Sequence, residues 1–324
     1  MPRAVCPCRR RSGELALILH TSLSMKMLRD GERWREATMA KSGNMAMASA
    51  ERQARDSVRQ ASPWLVGLGR LGHAAKGVVY LLIGALAVQV ALGRGGETTD
   101  SSGALARIAD APFGRFLLIA MMVGIVGYAL WRLLQALLDT DGEGTDAEGI
   151  AKRLGYAGSA VIYAGLALTA LQLLRTGTTG ESGSQSAQDW TARLMAQPFG
   201  RWLVAVAGLL VIGIGIYQIY KGYKAKFRED LELGEVGATG EHWVVRLGQV
   251  GHIARGIVFG LIGAFLIGAA LKENPGEARG VDGALAALAQ QSFGPWLLGA
   301  VALGFVAYGL YMFAEARYRR MVVR

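Results

Sequence analysis

Apolar residues in this chain gather into six long runs separated by short polar stretches: Ala74–Leu92, Phe116–Leu138, Leu154–Leu174, Trp202–Tyr220, Ile253–Leu271 and Trp296–Ala314. Each is close to the ~20 residues an α-helix needs to cross the bilayer hydrocarbon at ~1.5 Å rise per residue. Open strands would leave backbone groups unpaired in lipid, so all six are expected to be helices. The second run carries Arg132 and Gln135 near its end and is expected to leave the hydrocarbon near Trp131.

The runs repeat in pairs. Residues 68–85, LGRLGHAAKGVVYLLIGA, match 247–264, LGQVGHIARGIVFGLIGA, at 11 of 18 positions without a gap. GALARIADAPFGRF at 103–116 recurs as GALAALAQQSFGPW at 283–296, and the middle of the chain carries Pro198-Phe199-Gly200-Arg201 after Arg153-Leu154-Gly155-Tyr156 and Tyr163. The unit is helix, short amphipathic connector, helix, in three copies: 64–138, 147–224 and 240–318, after a tail over 1–60. The fold class expected is all-α, a polytopic membrane protein with six transmembrane helices as three parallel two-helix repeats. A pseudo-threefold axis is then allowed, as is a row.

Small residues recur on one face of the spans. Gly77, Gly84 and Ala91 are matched by Gly256, Gly263 and Ala270, and Ala120, Gly124 and Tyr128 by Ala300, Gly304 and Tyr308. Such spacing marks close helix packing in lipid, where no hydrophobic force draws helices together. In the connectors, Leu105, Ile108, Ala109 and Phe113, with Leu285, Leu288, Ala289 and Phe293, fall at helical spacing. These short helices are expected to lie flat in the outer interface. Phe-Gly would then turn the chain into the membrane with Arg115 or Arg201 at the headgroups, while Pro295 leaves the anchor role in copy three to Trp296.

Composition agrees with the bilayer: 52% of residues are hydrophobic, 19% charged, and 45 are glycine. The net charge of +10 does not point to nucleic acid, because the basic residues flank apolar runs rather than gather on a soluble face. Lysine and arginine number 5, 3, 6 and 4 in residues 52–76, 132–153, 221–255 and 317–324, against 3, 3 and 2 in 93–115, 175–201 and 272–295. By the positive-inside rule both termini face the cytoplasm. The tail holds Cys6, Cys8, an Arg9–Arg11 run and a short apolar stretch at Leu15–Leu19. It reads as a disordered or mis-assigned extension with translation starting at Met39, Met45 or Met47, since a signal peptide needs a longer apolar region. Two cysteines that close supply neither a disulfide framework nor a zinc site.

The pattern Arg70-Leu-Gly-His73-x-x-Lys76-Gly77-x-x-Tyr80, then Gly103-Ala-Leu, Pro112-Phe113-Gly114-Arg115 and Gly127-Tyr128-x-x-Trp131, resembles the bacterial membrane proteins grouped as domain of unknown function 1206. The resemblance covers roughly residues 64–318. It implies the three-copy architecture and membrane location, with no assigned activity or catalytic residues. Ser159, Gln249 and Pro295 depart from the pattern.

Zinc-protease, nucleotide-loop and nucleophile-elbow motifs are missing, so no enzyme, cofactor or metal is expected. The most suggestive polar set is His73, Lys76 and Tyr80, matched by His252, Arg255 and Phe259 and by Tyr156, Ser159 and Tyr163. Spacings of three and four place each trio on one helix face near the inner interface. They read either as snorkelling anchors or as a basic vestibule for lipid headgroups or an anion. Two functions follow: a non-enzymatic scaffold or lipid-interacting protein whose partners are membrane lipids, or a passive channel or transporter for a small solute along the axis. Little else polar sits at mid-span beyond Gln89, Gln172, Tyr128, Tyr163, Tyr217 and Tyr308, which disfavours ion-coupled transport.

Overall fold

The computed structural model of the chain describes residues 62–139, 144, 146–177, 182–231 and 237–319. The tail, with Cys6, Cys8, the arginine run and the candidate start residues, lies outside the described residues. Six long helices, α1 (Ser62–Ala91), α3 (Gly114–Leu138), α4 (Ala147–Thr176), α6 (Gly200–Tyr223), α7 (Gly237–Lys272) and α9 (Gly294–Tyr318), are long and apolar enough to cross a membrane. The chain is a multi-pass membrane protein. Three short helices, α2 (Ser101–Ala109), α5 (Gly183–Met195) and α8 (Val281–Ala289), connect them in pairs.

Each long helix begins or ends where the sequence supplies a stop. Asp146 caps α4 by accepting from Gly149 N at 3.0 Å, and Gly177 closes it in the left-handed conformation. Phe113 and Phe199 cap α3 and α6 at φ near +60°, a region that costs a side-chain-bearing residue energy. Their counterpart Phe293 precedes Gly294-Pro295 and sits at φ −109°.

The helices are neighbours in the order α4, α3, α1, α9, α7, α6. Glycines make the closest approaches. A Cβ on Gly77 would lie 2.9 Å from Gly309 O, one on Gly84 2.9 Å from Ala302 O, and one on Gly124 3.0 Å from Leu71 O. Gly256 and Gly263 face Gly215 and Gly208 of α6, where an added Cβ would meet a carbonyl oxygen at 2.6 Å in each case, and Gly304 packs against Ala254. The heptad Gly208, Gly215 and Gly222, which carries the α6 side of this contact, was not singled out in the sequence.

Two expectations are corrected. The connectors α2 and α8 turn their apolar faces into the protein rather than into a lipid interface, since Ala104, Leu105, Ala284 and Leu285 are fully buried in the main core. Phe113 is no part of that face: α2 ends at Ala109, and Phe113 is 85% exposed in the turn beyond it.

The connectors are tied by their leading ends. Asp100 caps α2 by accepting from Gly103 N at 2.9 Å. Ser184 Oγ donates to Asp282 Oδ1 at 2.8 Å and accepts from Gly280 N at 3.0 Å, while Thr98 Oγ1 donates to Asp282 O at 2.9 Å. Burial raises the Asp100 carboxyl above its ordinary value, and Asp282 adds to the shift against the opposing backbone hydrogen bonds.

Candidate functional site

Gly72 and Gly251 position the site. A Cβ on Gly72 would fall 2.8 Å from Gly124 O and collide with Tyr128, and one on Gly251 would come within 2.6 Å of Tyr308. The bare glycine therefore lets a tyrosine from the paired helix lie across the first helix, one turn before the cation. His73, next in sequence, donates from Nδ1 to Gly69 O at 2.7 Å and packs edge-on to Tyr128 at 5.0 Å between ring centroids. His252 repeats this with Gly248 O at 2.8 Å and Tyr308 at 5.3 Å, and stacks on Phe227. A carbonyl only accepts, so both histidines carry their proton on Nδ1. Each has one nitrogen tied to its own helix.

Lys76 and Arg255 follow three residues later, and both turn inward. Lys76 is buried, with Nζ donating to Tyr128 Oη at 3.4 Å and lying 5.2, 5.4 and 5.7 Å from the ring centroids of Tyr128, Tyr163 and Tyr308. Arg255 donates to Tyr308 Oη and lies 4.6 Å from that ring, 5.4 Å from Tyr80 and 5.3 Å from Phe259. Arg132 donates to Tyr128 Oη at 2.9 Å and to Gln135 Oε1 at 3.2 Å, over the rings of Tyr128 and Tyr156. The result is an alternation of cation and tyrosine, Arg132–Tyr128–Lys76–Tyr308–Arg255, drawn from α1, α3, α7 and α9, with Tyr163 of α4 against it. The snorkelling reading is corrected by this geometry: these side chains reach into the bundle, not out to headgroups. Tyr128 and Tyr308 each lie 14 residues into their helices, ~21 Å along the axis from the connector end.

The five residues His73, Lys76, Tyr80, His252 and Arg255 are thus brought to one interior. Copy two contributes differently: Tyr156 and Tyr163 reach the cations, while Ser159 supplies no charge. The sequence reading missed Arg132, Glu315 and Arg319. Glu315 pairs with Arg319 and lies 3.7 Å from His73 Nε2. A signal for this pair was present, as a carboxylate four residues before an arginine directly after the last apolar run.

The charge balance is uneven. Among the described residues Lys76, Arg132 and Arg255 make no ion pair with a carboxylate; their partners are tyrosine hydroxyls, one amide and aromatic faces. Glu315 attracts Lys76 and Arg132 from further off, yet it is already engaged by Arg319. Arg255 Nε is buried without a hydrogen-bond partner, as is Trp131 Nε1. The arrangement offers positive charge and an open Arg255 donor to an anion.

Comparison with known proteins finds the family described as Domain of Unknown Function (DUF1206) at residues 71–139, 154–225 and 250–319. The uncharacterized protein YxxB of Bacillus subtilis (strain 168) is 38% identical over 275 residues, which span 85% of this chain and 98% of the relative. No solved structure matches the chain.

Proposed function

The chain belongs to the DUF1206 family, and on that premise we propose that it is a non-enzymatic bacterial plasma-membrane protein that holds the anionic headgroup of a membrane lipid in its cationic interior. Both termini are cytoplasmic in this reading, and the three units stand parallel with their tied connectors at the outer end. The observation that carries the proposal is the cluster of Lys76, Arg132 and Arg255, whose partners among the described residues include no carboxylate. Removing a cation from water costs several kcal/mol, and a desolvated cation–π contact returns only ~2 kcal/mol. Neighbouring like charges add to that cost. A phosphate or other anion between them relieves both and accepts from the open Arg255 Nε.

A through-path for a small solute has less support. Ala87, Ala104, Leu105, Ala170, Ala284 and Leu285 are fully buried in the main core, which fills the bundle toward the connectors.

The test is native mass spectrometry of wild type and the Lys76→Gln, Arg255→Gln double variant purified from the same membranes. Anionic phospholipid should remain bound to wild type and fall about fivefold for each cation removed, the equivalent of ~1 kcal/mol per basic contact. Unchanged occupancy in a folded double variant would reject the headgroup site.

A further inference from the structure

We infer that the lipid enters from the side and lies with its chains between α4 and α6, the two helices of the second copy; this rests on reading the cation–tyrosine interior as a headgroup site. In copies one and three the paired helices pack on each other, α1 on α3 and α7 on α9, but α4 and α6 do not pack along their lengths and are held instead by α3 and α7.

Equivalent positions make the difference plain. Val79 of α1 and Val258 of α7 are 3% and 1% exposed against their partner helices, whereas their counterpart Ile162 on α4 is 71% exposed. Tyr128 and Tyr308 are each 2% exposed, whereas Ile214, at the matching place on α6, is 51% exposed. Leu210 and Tyr217 are open in the same way, while Gly124, Gly304, Trp131 and Tyr311 at their places are buried.

The chemistry accounts for the opening. The cation–hydroxyl contact that joins Lys76 to Tyr128 and Arg255 to Tyr308 has no equivalent in copy two, which carries Ser159 and Ile214 there. Gly158 and Gly165 on α4 have open space where a Cβ would stand.

The two exposed faces are apolar, and Tyr163, next to Ile162, has its ring 5.4 Å from Lys76 Nζ. An apolar slot that ends at buried cations matches an amphiphile with a negative head. A second copy of the chain would fill the slot but leave the cations without counter-charge.

The experiment uses full-length protein in nanodiscs of equal parts phosphatidylglycerol and phosphatidylcholine, with a benzophenone amino acid at Ile162, Ile214 or, as control, Leu168, an exposed α4 position about 120° round the helix from Ile162. Adducts at Ile162 and Ile214 should be enriched in phosphatidylglycerol about fivefold over those at Leu168, and the enrichment should vanish with Lys76→Gln and Arg255→Gln. Equal lipid composition at all three sites, or adducts to a second protein copy, would overturn lateral entry.

A second arm fills the slot with Gly158→Trp and Gly165→Trp, where the structure has room. This variant should lose retained phosphatidylglycerol while still binding inorganic phosphate by calorimetry, which separates a lipid headgroup from a free anion. Unchanged lipid there, or equal loss of lipid and phosphate, rejects the slot. If Lys76→Gln with Arg255→Gln changes neither ligand, the headgroup site itself fails.

Discussion

Gly72 and Gly155 occupy the same place in two copies of one unit, yet they meet opposite surroundings. At Gly72 the added methyl of alanine would press on the Gly124 carbonyl and Tyr128, whereas nothing lies within 4 Å of the corresponding point on Gly155. Overpacking of this kind costs about 1–3 kcal/mol, and the obstruction here includes backbone that yields little. Gly72→Ala should therefore lower the melting temperature in detergent by several degrees, and Gly155→Ala should leave it equal or higher, because alanine is the better helix former. Fluorescence-detected size-exclusion after a heating series checks this, and equal effects at the two sites would contradict the packing described. The Gly-His-x-x-Lys/Arg spacing is legible in the sequence; the inward turn of the cation is not. Lys76 and Arg255 at the ends of apolar runs look like interfacial anchors until Tyr128 and Tyr308, more than fifty residues away, are known to lie beneath them.

At the scale of elements, hydrophobic length is enough to recover the six spans, and helical spacing finds the connectors. Alternation of polar and apolar positions does not say whether an amphipathic helix faces lipid or protein, since both accept the same residues. The buried Ala104, Leu105, Ala284 and Leu285 settle this in favour of protein. Asp100 makes the connector end sensitive to pH. Its folded carboxyl is raised above the ordinary 3.8 because burial disfavours the charged form. Its contribution to stability is thus fully present below that ordinary value and is lost as the pH rises through the elevated one. Asp100→Asn keeps the acceptor that caps α2 and removes the titration. It should melt at or above wild type at neutral pH, with the difference shrinking toward about pH 4. Asp100→Ala should melt lower at both, by the ~1 kcal/mol of a lost cap. Tryptophan fluorescence melts distinguish the two, and equal destabilisation by Asn and Ala would show that the charge, not the cap, holds α2.

For the whole molecule, three copies of one unit have diverged into unequal roles. Copies one and three close on themselves through a glycine, a histidine and a cation set against a tyrosine. Copy two has lost the cation and the tyrosine and stands open between α4 and α6. Those substitutions are visible in the sequence as Ser159 and Ile214, but their consequence appears only once the neighbours of each helix are known. The bundle that results carries a buried Lys76 and a half-buried Arg132 and Arg255, without carboxylate partners among the described residues, next to an apolar opening. The account stands on an anionic group occupying that place. Its most direct test is an experimental structure of the protein in phosphatidylglycerol nanodiscs, at a resolution that shows phosphate. The account predicts phosphoryl density within hydrogen-bond distance of Lys76 Nζ and the Arg255 guanidinium, with acyl density running between α4 and α6. An interior closed by side chains alone, with α4 and α6 packed together, would contradict it.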